Sequence, residues 1–141
     1  VLLDELTNLL VAQGVGVLPG STNASAWTIH KGFQPPALSA STPGSITLYE
    51  TGALDDQPNA ADDLPERPTF QVRLRGTPLA YSAARTKCDA VRNAFYTVGN
   101  ETLSGRYFAH VTMPTAPIGL GVDANQRPEF TLNGVAIRSR T

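Results

Sequence analysis

One cysteine, one methionine and one tryptophan stand among 141 residues. The lone Cys88 cannot close an intrachain disulfide, and no CxxC or paired Cys/His spacing offers zinc a ligand set. Positive charge has no surplus either: 11 Lys and Arg face 12 Asp and Glu, for a net charge of −1. No overall basic field therefore draws the chain to nucleic acid. Apolar runs fall far short of the roughly 20 residues a membrane span requires, so no membrane partner is expected. The opening VLLDELTNLL carries Asp4 and Glu5 and no basic residue, unlike a signal peptide. These limits leave one domain spanning 1–141, long enough to bury roughly two-thirds of its unfolded surface without a disulfide or a metal.

Catalytic signatures are also missing. The chain has no GxSxG elbow, no HExxH, no Walker-type GxxxxGK(S/T) and no GxGxxG opening a helix after a strand. GVGVLPG follows a helical stretch, which is the wrong context for a phosphate cradle. His30 and His110 stand alone in alternating segments and read as structural or surface histidines. Cys88 falls on an apolar helical stripe, where a thiol behaves as a small hydrophobe. No catalytic residue, cofactor or metal is expected.

What is present is local pattern. Leu2, Leu3, Leu6, Leu9 and Leu10 recur at helical spacing up to Gly14. A small-residue stretch follows, and Trp27 and Ile29 then alternate with Thr28 and His30 as a short strand. A proline-rich break separates that strand from a second at Ile46–Tyr49. Residues 51–68 read as a long loop. Phe70, Val72 and Leu74 oppose Gln71, Arg73 and Arg75, the mark of a half-buried strand ended by Gly76. Thr77 is placed to cap a helix with Pro78 in its first turn. Tyr81, Ala84, Cys88, Val91, Phe95 and Val98 then keep the 3.6-residue period, with Gly99 where a left-handed C-terminal glycine belongs. Arg106–Thr112 reads as a strand and MPTAPIGLG as a link. Phe130 to the C-terminus reads as one last strand with a glycine bulge at Asn133-Gly134, in preference to a hairpin. The order helix–β–β–β–helix–β–β predicts a two-layer α+β domain, both helices on one face of a mostly antiparallel or mixed sheet.

Six residues are the candidate interface or channel positions. Asp55, Asp56, Asp62 and Asp63 crowd the long loop, but the DxDxDG calcium pattern is absent, so solvated charge or a partner surface is the expected role. Arg73 and Arg75 repeat on the polar side of one strand, which suits an interface salt bridge, an open face or a phosphate contact.

Taken together, Ile46-Thr47-Leu48-Tyr49-Glu50-Thr51-Gly52, the run Arg67 to Gly76 and the Tyr81-to-Val91 helix resemble the tail-terminator, or minor capsid, proteins of long-tailed bacteriophages. Leu120-Gly121-Val122-Asp123 and Arg127 to Asn133 are similar to that family's final strand. Gly134 and Gln126 depart from the pattern, where an aromatic and a glycine respectively are expected. The resemblance implies a non-enzymatic virion protein at the head–tail interface, made in the host cytoplasm. Its copies would form a ring, commonly a hexamer, on the tail tube protein and meet the head-completion or stopper protein. Phage DNA would pass through without sequence-specific binding. A head-side stopper, a tail tube protein, or a small-ligand or enzymatic α+β domain are the other readings.

Overall fold

Alternation governs the centre of the sheet. The computed structural model describes residues 1–21, 26–34, 43–53 and 65–139. In β3 (Pro68–Arg75), Phe70, Val72 and Leu74 are buried while Gln71, Arg73 and Arg75 turn to the other face. Antiparallel to it on one side runs β2 (Ser45–Ala53), with Ile46 opposite Leu74 and Leu48 opposite Val72. On the other side runs β7 (Pro128–Arg138), with Phe130 opposite Leu74 and Leu132 opposite Val72. These rows of apolar side chains make one wall of the core. Beyond β2 lies β1 (Thr28–Lys31), which pairs with β2 in parallel.

The 11 residues of β7 are long enough to serve two partners on their free side. Its C-terminal half pairs with β5 (Arg106–Thr112), which in turn pairs with β4 (Gly99–Leu103). Its N-terminal end pairs with β6 (Ile118–Val122). The sheet is thus ordered β1-β2-β3-β7-β5-β4, with β6 attached to β7 alone.

Two helices cover the apolar face. In α1 (Leu2–Ala12) all five predicted leucines are buried. In α2 (Tyr81–Tyr96) the stripe Ala84, Cys88, Val91 and Phe95 is buried, and the Phe95 ring meets Phe70 edge-on at 5.2 Å. Tyr81 departs from its expected place: it is 60% exposed and rests its ring against Phe130 at the rim. The α+β class and the single apolar face stand as the pattern predicts. No described helix is long and apolar enough to cross a membrane.

Local expectations fail at turns and edges. Residues 77–80 form a turn closed by the Ala80 N–H donating to the Thr77 carbonyl at 3.2 Å, so Thr77 and Pro78 precede the helix. The α2 C-cap is Thr97 (φ −72°), and Gly99 opens β4 without a left-handed φ. MPTAPIGLG is no mere link, because it contains β6. β2 runs on through Ala53, past the expected start of the loop, by way of a bulge between Glu50 and Gly52. Gly134 sits in an unbroken ladder with β3, and the register shift lies in β5, between Phe108 and His110.

Candidate functional site

Polar residues line up in rows on the sheet face opposite the helices. Tyr49, Gln71 and Asn133 are register neighbours across β2, β3 and β7, and Gln71 Nε2 donates to Asn133 Oδ1 at 3.1 Å. The next row is Thr47, Arg73 and Thr131. Arg73 is exposed, lies over the Tyr49 ring at 5.8 Å and donates from Nε to Gln71 Oε1 at 3.1 Å. Tyr49, Gln71 and Arg73 border a shallow hollow of about 300 Å³. This face offers a stacked cation and amide groups, which suit recognition more than chemistry.

Arg75 has a different setting from Arg73. Its Nε lies 3.3 Å from Glu129 and 3.4 Å from Asp123, with the side chain largely buried. Beside it Arg127 is fully buried, and its Nη1 donates to the Gly76 carbonyl at 2.9 Å. Burial pulls the Arg127 guanidinium down from its ordinary value, against the nearby Asp123 carboxylate, which raises it. Arg75 therefore holds the turn between β6 and β7 to the end of β3.

Asp55, Asp56, Asp62 and Asp63 lie outside the described residues. At the near end of their segment Glu66 is placed: it accepts from Arg106 Nη1 at 2.9 Å and from Arg138 Nε at 2.5 Å. Arg138 also donates to Glu5 of α1, which is only 4% exposed. This four-charge cluster was not legible in the sequence, since its members are scattered along the chain.

The three residues weighed as nucleophile or base are kept apart. His30 and His110 stand on β1 and β5, with β2, β3 and β7 between them. Partial burial lowers the His30 pKa. Cys88 is fully buried, and burial pushes its thiol up to about 12, so it is protonated at neutral pH. Among the described residues no three His, Cys, Asp or Glu side chains cluster as metal ligands.

A cavity of about 540 Å³ beside β1 is lined by Leu18, Pro19, Ile29, His30, Lys31 and Phe33. Its walls are mostly apolar, and Lys31 is paired with Asp4. At the far side of the sheet β6 is exposed along its whole length, Ile118, Leu120 and Val122 included. Neither surface was foreseen. The alternation signal is weak in IGLGV, where two of five residues are glycine.

The fold is shared with a chain of a solved structure described as the virion of a native gene transfer agent particle. The two overlap with a TM-score of 0.63 over 98% of this chain and 94% of that one, at 13% identity. A second solved structure overlaps 77% of each chain at 14% identity, with a TM-score of 0.48. No family model and no curated protein matches the chain.

Proposed function

We propose that this chain is a structural protein of a phage-type virion, a tail terminator whose copies form a ring at the head-proximal end of the tail tube. The observation that carries the reading is the end-to-end overlap with a chain of a gene transfer agent virion, 98% of one chain on 94% of the other. The strand and helix segments that resemble the terminator family, Ile46–Gly52, Arg67–Gly76 and Tyr81–Val91, support it from the sequence.

In this reading the chain is not an enzyme, and it works by surfaces. A ring of about six copies, joined by unlike patches, caps the tube on one side and meets the head-completion protein on the other. DNA slides through because tight binding needs clustered cations that release counterions. The net charge of −1 supplies no such field. Arg73 and the acidic positions Asp55, Asp56, Asp62 and Asp63 belong to the channel or partner surfaces, whereas Arg75 serves mainly to hold its turn.

The test is a phage that lacks the gene, examined by electron microscopy. Overgrown or unjoined tubes beside filled heads are expected, and purified protein should restore joining. Normal-length tails with leaking heads would move the protein to the head side. Absence of tubes would make it a tube subunit or an initiator.

A further inference from the structure

We propose that neighbouring copies join head to tail, the β6 edge of one seated in the Leu18–Phe33 cavity of the next. The inference rests on the ring reading and names the surfaces that would close the ring.

β6 hydrogen-bonds to β7 alone, so its outer edge has no strand partner among the described residues. Natural edges of this kind are usually blunted by charge, by proline within the strand or by a β-bulge, and β6 carries only the last of these. Here no charged residue occurs from Met113 to Val122, and Ile118, Leu120 and Val122 are 43%, 47% and 59% exposed. A register shift between Gly119 and Gly121 makes Leu120 the extra residue, pushed out of the ladder.

The backbone next to this edge is strained. Leu79 and Gln126 both hold a left-handed φ, 61° and 60°, and the Leu79 N–H donates to the Gln126 carbonyl at 2.9 Å. That conformation leaves the Leu79 side chain 83% exposed. An apolar side chain held in water by a strained turn contributes little to the fold, and such strain concentrates at functional surfaces.

The occupant follows from the second patch. The cavity at β1 is lined mostly by apolar side chains, the β6 edge carries three exposed ones, and three strands, β2, β3 and β7, separate the two. Leu18 and Phe33 at the cavity are 47% and 64% exposed. Its one cation, Lys31, is already paired with Asp4, so seating an uncharged edge there strips water from no lone charge. Unlike patches on opposite edges of one sheet make a heterologous contact, and each added copy leaves one edge and one cavity free until a ring closes. A second copy of this chain satisfies both surfaces at once.

Leu120→Asp on the edge and Phe33→Asp at the cavity test the contact, with circular dichroism to check that each variant folds. In a sedimentation concentration series, wild type should associate and each variant alone should stay monomeric. An equal mixture should form a dimer and nothing larger, because only the Leu120→Asp cavity and the Phe33→Asp edge are intact. Val122→Asp with Leu18→Asp should complement in the same way, in case one of the first pair misfolds. Mixtures that stay monomeric, or single variants that associate like wild type, would overturn the contact while leaving the ring. Wild type that remains monomeric at every concentration and on tubes would overturn both.

Discussion

Arg138 in the last strand donates from Nη1 to the Glu5 carboxylate of the first helix, across 133 positions of sequence. Glu66 and Arg106 complete the cluster, two carboxylates against two guanidiniums. Arg138→Met leaves the buried Glu5 with Arg106 Nε at 3.6 Å as its remaining cation. Removing one partner of a buried pair costs about 3–5 kcal/mol, and the partial exposure of Arg106 and Glu66 argues for the lower end. A fall in the urea midpoint with unchanged slope should report it. Glu5→Leu combined with Arg138→Met should recover much of the loss, because an apolar pair leaves less charge buried alone.

Cys88 gives a pH signature. Burial raises its thiol from the ordinary 9.0 to about 12, so the folded chain keeps a proton that the unfolded chain releases first. The native state binds more protons across that window, so stability falls as pH rises from about 9 to about 12 and is unaffected below it. Wild type and Cys88→Ala should thus differ in their pH slopes only above about pH 9. An equal slope in both would place the thiol in contact with water. Alkylation of native protein should be correspondingly slow and should accelerate with urea.

Gly134 and Phe70 are register partners, and a Cβ built at Gly134 would lie 2.3 Å from Phe70 Cζ and 2.8 Å from Met113 sulfur. The space beside Gly134 is filled from the neighbouring strand by the Phe70 ring. Gly134→Ala should therefore overpack the core and cost about 1–3 kcal/mol. Adding Phe70→Leu should return part of it. A thermal melt of wild type and the two variants decides, and an unchanged midpoint for Gly134→Ala would show that the Phe70 ring has room to move.

The same pair shows why parts of the fold were legible and others were not. Strand β3 and the two helix stripes were legible because one-sided burial imposes a period on side chains, as Phe70, Val72, Leu74 and the five leucines of α1 display. The glycine at 134 suggested a bulge because sequence does not reveal which ring fills the space opposite. β4 and β6 were missed for a related reason: all five residues of β6 are exposed, as are Gly99 to Thr102 of β4, so no alternation is required of them. Their backbone pairing to β5 and β7 defines them instead. Arg73 and Arg75 looked equivalent by spacing, yet only Arg75 meets Asp123 of the β6–β7 turn and Glu129, its register partner on β7. The Glu5–Arg138 pair had no local signal at all.

Gln126 supplies a last prediction, which links the turn to the proposed edge. Its φ of 60° is left-handed, where a side chain costs roughly 1–2 kcal/mol and glycine costs nothing sterically. Glycine is the residue that fits this backbone without strain. Glycine loses more freedom on folding, by roughly 0.5–1 kcal/mol, so the net gain from Gln126→Gly should be about 0.5–1 kcal/mol. The Asp123 and Leu79 backbone bonds need no Gln126 side chain and should survive: Gln126 N–H to Asp123 carbonyl at 3.1 Å, and Leu79 N–H to Gln126 carbonyl at 2.9 Å. A raised melting temperature with unchanged self-association is the outcome expected, because glycine keeps the left-handed turn that presents Leu79 and β6 to a neighbour. A raised melting temperature with weaker association would show that the Gln126 side chain, and not the turn, is what a neighbour accepts.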